Sequence, residues 1–173
     1  MTGTPRGAAR SVRDSSALDR LRAHLGAVAA AGRAAFQAQS MDELFQVLYR
    51  DLRAVMDATI FVLGAYHEAS ETVDIVGQVD AGVMLAGGSF PLGSGFTSEV
   101  IRSRRPRLIR RWSTEGPRIQ VMYANQQQGA LPLPESGISV PLLVRDRVVG
   151  VLSVQSYQPA AYDDDDVLLL QAV

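Results

Sequence analysis

The sequence predicts a mixed α+β domain, an antiparallel sheet with the helices of both termini packed together on one face. Three observations carry this. Strand-like runs follow one another through short polar loops, which implies antiparallel neighbours. Helical periods of three and four occupy the two ends of the chain. The 173 residues, 47% hydrophobic and 20% charged, suit one soluble globular domain with a core of its own.

The elements follow in order. Residues 1–16 ("MTGTPRGAARSVRDSS") are small, polar and unpatterned, and are expected to be a disordered tail. From Leu18 a helical stripe runs through Leu21, Leu25, Val28, Gly32 and Ala35, the spacing of a coiled-coil or bundle seam. Residues 17–38 are therefore read as a dimerisation or linker helix ahead of a core at 41–173. Ser40 and Glu43 form a capping box for the next helix, whose apolar face is Leu44, Phe45, Leu48, Leu52 and Val55. "TIFVLGAYHE" and "TVDIVGQVD" read as a hairpin around "ASE", and "SFPLGSG" as a brief strand breaking into a glycine turn. "FTSEVIRSRR" is a short helix ended by Pro106, and "PRLIR" is a strand. Residues 111–135 are a long polar stretch, expected to be a lid because loops of this size are usually functional or mobile. In "AYDDDDVLLLQAV" four aspartates open a last helix, as the helix dipole favours. That helix stops at Val173 without a C-cap, so it is expected to be truncated, with further protein following.

The hairpin "SVPLLVRDRVVGVLSVQSY" (139–157) deserves a closer reading of its two faces. Val140, Leu142, Val144, Val148, Leu152 and Val154 place apolar side chains at even positions, which should meet the helix layer. The odd positions are apolar near the turn (Leu143, Val149, Val151) and polar away from it (Ser139, Ser153, Gln155, Tyr157). That half-polar face is expected to pack near the turn and then become the floor of a cavity beneath the lid.

The order of elements, with "FPLGSGFTSEVIRSRRPRLI", "GISVPLLVRDRVVGVLSVQSY" and "YDDDDVLLLQAV" in succession, resembles a GAF domain, the small-molecule-sensing relative of PAS. An arginine stands ahead of Pro106 where many members have glycine. The resemblance implies a six-stranded antiparallel sheet with terminal helices on one face, and a lid helix and loops over a pocket on the other. It also implies a regulatory module of a larger signalling protein, for example a diguanylate cyclase or histidine kinase. Such a module is commonly a homodimer through its terminal helices and relays ligand state to a C-terminal output domain.

Several functions of that family can be checked residue by residue, and the typical signatures are not met. There is no cysteine, whereas bilin-binding members attach their chromophore through one and free methionine sulfoxide reductases use catalytic ones. The cyclic-nucleotide signature Asn-Lys-Phe-Asp-Glu finds only Asn125 before Gln126, Tyr162 for the Phe, and Asp165-Asp166. His24 and His67, the two histidines, are poorly placed for a haem. No catalytic set, cofactor or metal site is legible, so the reading is a non-enzymatic domain taking an unknown small molecule. The alternative is a ligand-free GAF-like dimerisation scaffold.

Candidate ligand contacts are Phe96, Trp112, Arg118, Met122 and Tyr123 from the helix and lid, with Ser139, Ser153 and Gln155 from the floor. The aromatic and Met side chains either close over a ligand or plug the space above the sheet. Three other features have structural readings: "GSG" (93–95) as a cap through Ser94 or Thr97, the aspartate run as an N-cap, and Arg102, Arg104, Arg105, Arg107, Arg110 and Arg111 as a solvated helix end and strand edge. A formal net charge of −1 argues against nucleic acid. No apolar run suits a membrane, and there is no signal peptide. A cytoplasmic location is expected.

Overall fold

The computed structural model describes residues 6–116 and 133–173, with side chains from residue 16 onward. Two helices, α1 (Arg6–Gln37) and α2 (Met41–Leu52), lead into strands β1 (Ile60–His67), β2 (Thr72–Asp80), β3 (Val83–Leu85) and β4 (Ser89–Pro91). Then follow α3 (Phe96–Ser103), β5 (Arg107–Ile109), the short α4 (Trp112–Glu115), β6 (Ser136–Val144), β7 (Arg147–Ser156) and α5 (Asp164–Ala172). The strands form one antiparallel sheet in the order β3-β2-β1-β7-β6-β5, with β4 also paired to β2. The predicted class is observed. The strand beyond the expected six is β3, three residues that the Ala81-Gly82 turn folds back on β2.

One face of the sheet carries the terminal helices. Phe45, Leu48 and Leu52 of α2, Leu169 and Leu170 of α5, and Ala27 and Ala31 of α1 pack on Phe61, Leu63, Val79, Ile138, Val140, Leu152 and Val154. Gly77 lets α2 settle closely onto β2: a Cβ there would lie 2.5 Å from the Phe45 ring. Ser40 caps α2 by accepting from the Glu43 N–H at 3.1 Å, while the Glu43 carboxylate reaches one residue further back, to the Gln39 N–H at 2.8 Å.

The opposite face carries α3, with Val100 and Ile101 on Val73 and Val151. A second cluster there joins Phe96, Ile109 and Trp112.

Four details differ from the sequence reading. First, residues 6–16, expected to be a tail, continue α1; after Gly7 they contain no breaker and several good helix formers. Second, the stripe on α1 that meets the domain is Ala27, Ala31 and Ala34, while Leu18, Leu21 and Leu25 are 52%, 54% and 61% exposed. Third, Leu143 and Val149 do not pack near the hairpin turn but are exposed. The register pairs Leu142 with Gly150 and Leu143 with Val148, leaving Val149 as the extra residue of a bulge. Past that bulge the faces exchange, so Val148 joins the α3 side and Val144 is exposed. Fourth, the N-cap of α3 is Gly95 with no side-chain bond, and Ser98 instead accepts the Gly93 N–H at 3.0 Å.

The aspartate run does cap α5. Asp163 accepts from the N–H groups of Asp165 and Asp166 at 3.0 and 3.1 Å, and the Asp166 carboxylate accepts the Asp163 N–H at 3.0 Å. This cap is also where α1 is tied down. The Arg20 guanidinium donates to both oxygens of Asp163, at 2.8 and 2.9 Å, and to Asp166 at 2.9 Å. That hydrogen bonding holds the Asp163 carboxyl at about 2.

The linker from β7 to α5 is pinned to the sheet end. Ser136 Oγ donates to the Gln158 carbonyl at 2.6 Å, and Tyr162 donates to the Asp57 carbonyl at 2.8 Å. Ser156 Oγ donates to the Asp57 carboxylate at 2.6 Å. Burial pushes the Asp57 carboxyl up, but the Ser156 hydroxyl and the Thr59 hydroxyl and N–H outweigh it and leave it lowered.

Candidate functional site

Side-chain alternation fixes what the α3-bearing face looks like. Paired residues share a face, so Arg107, Ser139, Ser153, Val62 and Gln78 form one row across β5, β6, β7, β1 and β2. The next row is Ile109, Gly137, Gln155, Ile60 and Asp80. Gln78, Asp80, Ser139, Ser153 and Gln155 are all buried. The helix-bearing side of the same strands is apolar. A polar strip therefore crosses the middle of one sheet face.

Its hydrogen bonding is incomplete. Ser153 Oγ donates to the Ile138 carbonyl at 3.0 Å. Ser139 Oγ, on a residue with 0% exposure, finds no partner among the described residues. An unsatisfied buried hydroxyl costs about 1–3 kcal/mol, so its retention calls for an explanation. Gly137 clears the room that Gln155 uses: a Cβ at 137 would stand 3.0 Å from Gln155 Cγ.

At one end of the strip Tyr157 donates its hydroxyl to Asp80, 2.8 and 3.0 Å from the two carboxylate oxygens. Burial, and then Asp80, push the Tyr157 phenol up to about 12, so it remains a donor at neutral pH. Glu135, whose N–H bonds the Ser156 carbonyl at 2.8 Å, precedes β6 at the same end of β7. Its Oε2 is buried without a partner among the described residues.

The apolar rim is Phe96, Ile109 and Trp112. The Phe96 and Trp112 rings meet edge to face with centroids 5.2 Å apart, a favourable aromatic geometry. The Trp112 backbone N–H donates to the Glu135 carbonyl at 2.7 Å.

Of the expected contact residues, Ser139, Ser153 and Gln155 share the polar face, and Phe96 and Trp112 form one cluster beside it. Arg118, Met122 and Tyr123 lie outside the described residues, as does Asn125. The sequence reading does not single out Gln78 and Asp80, which the structure places on the polar face, or Glu135 just ahead of β6. The signal available for two of them is the alternation in "GQVD", where Gln78 and Asp80 share a face that Val79 does not. Tyr157 belongs to the polar face by its odd position, but only the structure pairs it with Asp80.

The arginine group is largely occupied or solvated. Arg107 pairs with Glu99 and also donates to the Glu115 carbonyl at 3.2 Å; Arg110 pairs with Asp164 at 3.0 Å. Arg102 donates to the Gly93 carbonyl. His67 pairs with Asp74 at 2.8 Å, both exposed. Two clefts lie away from the strip. One, about 250 Å³, lies between α1 and α2 beside Arg33 and Arg50. The other, about 160 Å³, lies by the hairpin turns beside Arg102, Arg104 and the exposed Arg147–Glu68 pair. Among the described residues no group of three or more metal-ligating side chains gathers, and no helix is long and apolar enough to cross a membrane.

Solved structures share this fold. The free methionine-R-sulfoxide reductase of Neisseria meningitidis, in complex with its substrate, superposes with a TM-score of 0.67 at 16% identity, covering 87% of this chain and 81% of that one. The GAF domain of an Acinetobacter phosphoenolpyruvate-protein phosphotransferase gives 0.60 at 14% identity, covering 87% and 88%. Part of a methyl-accepting chemotaxis protein gives 0.64 at 18% identity, covering 82% and 87%. At these identities the likeness is one of fold. No curated protein matches the sequence. The family model described as GAF domain matches residues 38–173. With most of its length inside that match, the chain belongs to the GAF domain family.

Proposed function

We propose that this chain is a non-enzymatic regulatory domain that binds a small molecule on the polar strip and passes its state to a linked output domain through the terminal helices. The observation that carries this reading is the buried Ser139 hydroxyl, without a partner among the described residues, within a row of buried polar side chains. A face meant only for packing would be apolar, as the helix-bearing face is. The reductases among its structural relatives do not lead to an enzymatic reading, because the chain has no cysteine, the residue the family resemblance ties to that chemistry. Signalling contexts among its relatives, in chemotaxis and phosphotransfer, favour the regulatory reading.

A route for the relay is available in the chain itself. The strand that supplies Ser153 and Gln155 continues through Tyr157 and the pinned linker into the α5 cap, and that cap holds Arg20 of α1. A ligand that binds two arrangements of this path with different affinity would shift their populations. The test is thermal shift and native mass spectrometry after exposure to a small-molecule extract of the host. Wild type is expected to retain a compound that Ser139→Phe, which fills the strip, does not. No retained compound and no shift would overturn the proposal.

A second reading, a ligand-free dimerisation scaffold, is favoured by the exposed stripe on α1. Leu18, Leu21, Leu25, Gly32 and Phe36 share one side of α1, and Phe36 is 93% exposed. A second copy of the chain, offering the same stripe, is the proposed occupant in either reading. Leu21→Lys with Leu25→Lys should give folded monomers by light scattering where wild type gives dimers. A wild-type monomer, or an unchanged dimer in the double variant, would overturn the pairing.

A further inference from the structure

Two carboxylates lie toward the Tyr157 edge of the strip, Asp80 on β2 and Glu135 just ahead of β6. Asp80 is 7% exposed and accepts from the Tyr157 hydroxyl. Among the described residues no Arg or His pairs with Asp80 or Glu135. Arg107, which shares the Ser139 row, is occupied by Glu99 and the Glu115 carbonyl. Tyr157 is neutral and supplies hydrogen-bond donation without charge. The strip therefore carries acceptor capacity and negative charge that the described residues leave uncompensated.

From this we infer that the ligand of the polar strip is a non-anionic molecule bearing amino or guanidino nitrogen, with Asp80 as its chief anchor. The inference rests on the proposed ligand-binding reading and gives that site its ligand class. Its physical basis is the cost of burying carboxylates without partners, which N–H donors or a cation offset. A phosphate or carboxylate ligand would instead be set beside them, and like charges in a poorly hydrated site repel strongly. Ser139 Oγ supplies a hydroxyl that donates or accepts, on the other side of the strip. From the strand of Ser139 to that of Asp80 is three inter-strand spacings, roughly 14 Å, which suits an elongated molecule with polar groups toward both ends. The Phe96–Trp112 pair supplies an apolar wall beside it.

The test uses agmatine, which carries a guanidinium and an ammonium, against cyclic GMP as an anionic probe. Trp112 is the only tryptophan and reports on both. Agmatine is expected to change its emission saturably in wild type, to bind about tenfold or more weakly in Asp80→Asn, and not to bind Ser139→Phe. Glu135→Gln should weaken it as well, and circular dichroism checks that each variant is folded. Agmatine binding unaltered by Asp80→Asn would overturn the inference, as would saturable binding of cyclic GMP with none of agmatine. In the latter case loss of cyclic GMP binding in Ser139→Phe would leave the ligand site standing and reject only its class. Failure of both probes also rejects the class. The host-extract experiment then decides independently whether the strip binds anything.

Discussion

Removing the Arg20 guanidinium tests the tie between the two terminal helices. In Arg20→Ala, Asp163 loses two charge-assisted bonds and Asp166 loses one. The Asp163 carboxyl lies at about 2 against an ordinary 3.8, and Arg20 is its largest cause, with the cap N–H groups of Asp166 and Asp165 adding to it; the whole difference, about 2.4 kcal/mol, is therefore not due to Arg20 alone. The Asp163 side chain is 53% exposed, however, and solvent screening reduces a pair of this kind to about 1 kcal/mol. Asp166 is the more buried partner, at 10%, so the loss should not fall much below that figure. For a domain of this size it corresponds to a fall in Tm of about 2–4 °C.

The pH dependence has a definite sign. A carboxylate with a lowered folded pKa contributes stability above its unfolded value and loses it as pH falls through the folded one. The gap between wild type and Arg20→Ala should therefore be full at pH 7 and close between about pH 4 and about pH 2. Thermal melts of both proteins across that range, with Arg22→Ala as the control, are the assay. Arg22 pairs only with Asp19 among the described residues, one turn away on the same exposed face, and its removal should leave Tm unchanged. Equal melting of wild type and Arg20→Ala at pH 7 would refute the reasoning, and so would a gap that persists below pH 2.

Three further substitutions probe other parts of the fold. Ser139→Ala should keep or raise stability, by up to about 1 kcal/mol, while weakening ligand retention; a large loss of stability would mean that the hydroxyl has a structural partner. Gly150→Ala should cost about 2 kcal/mol, because its Cβ would run into the Gly64 carbonyl of the neighbouring strand, and denaturant midpoints measure this. Gly26→Ala places a methyl in open space on a helix and should stabilise α1 by about 0.5–1 kcal/mol, read as slower amide exchange around it.

Where local chemistry decides the outcome, the sequence was legible. The Ser40 and Asp163 side chains each cap a helix as their spacing predicts, although only Asp163 closes a full capping box; Glu43 returns its bond to Gln39 in place of Ser40. The polar side of the 139–157 hairpin was visible because alternation within a strand maps directly onto faces. The contact face of α1 was not, because hydrophobicity selects leucine, whereas close approach to α2 and the sheet selects the small side chains of Ala27, Ala31 and Ala34. A single extra residue, Val149, undid the expected packing at the hairpin turn. Asp80 at a strand end looks like an ordinary turn residue until the register brings it to the polar face. The bond from Arg20 to Asp163 joins residues 143 positions apart, and no local pattern announces it.

The two stripes of α1 have a consequence for how such a chain can change over time. Alanines that hold the helix to its own domain and leucines left facing outward occupy different sides of one cylinder. Substitutions on the alanine side alter folding without touching whatever the leucines meet. Substitutions on the leucine side alter association without loosening the domain. Selection can therefore adjust assembly and stability separately, and a lineage can exchange one partner for another while the domain beneath it stays intact.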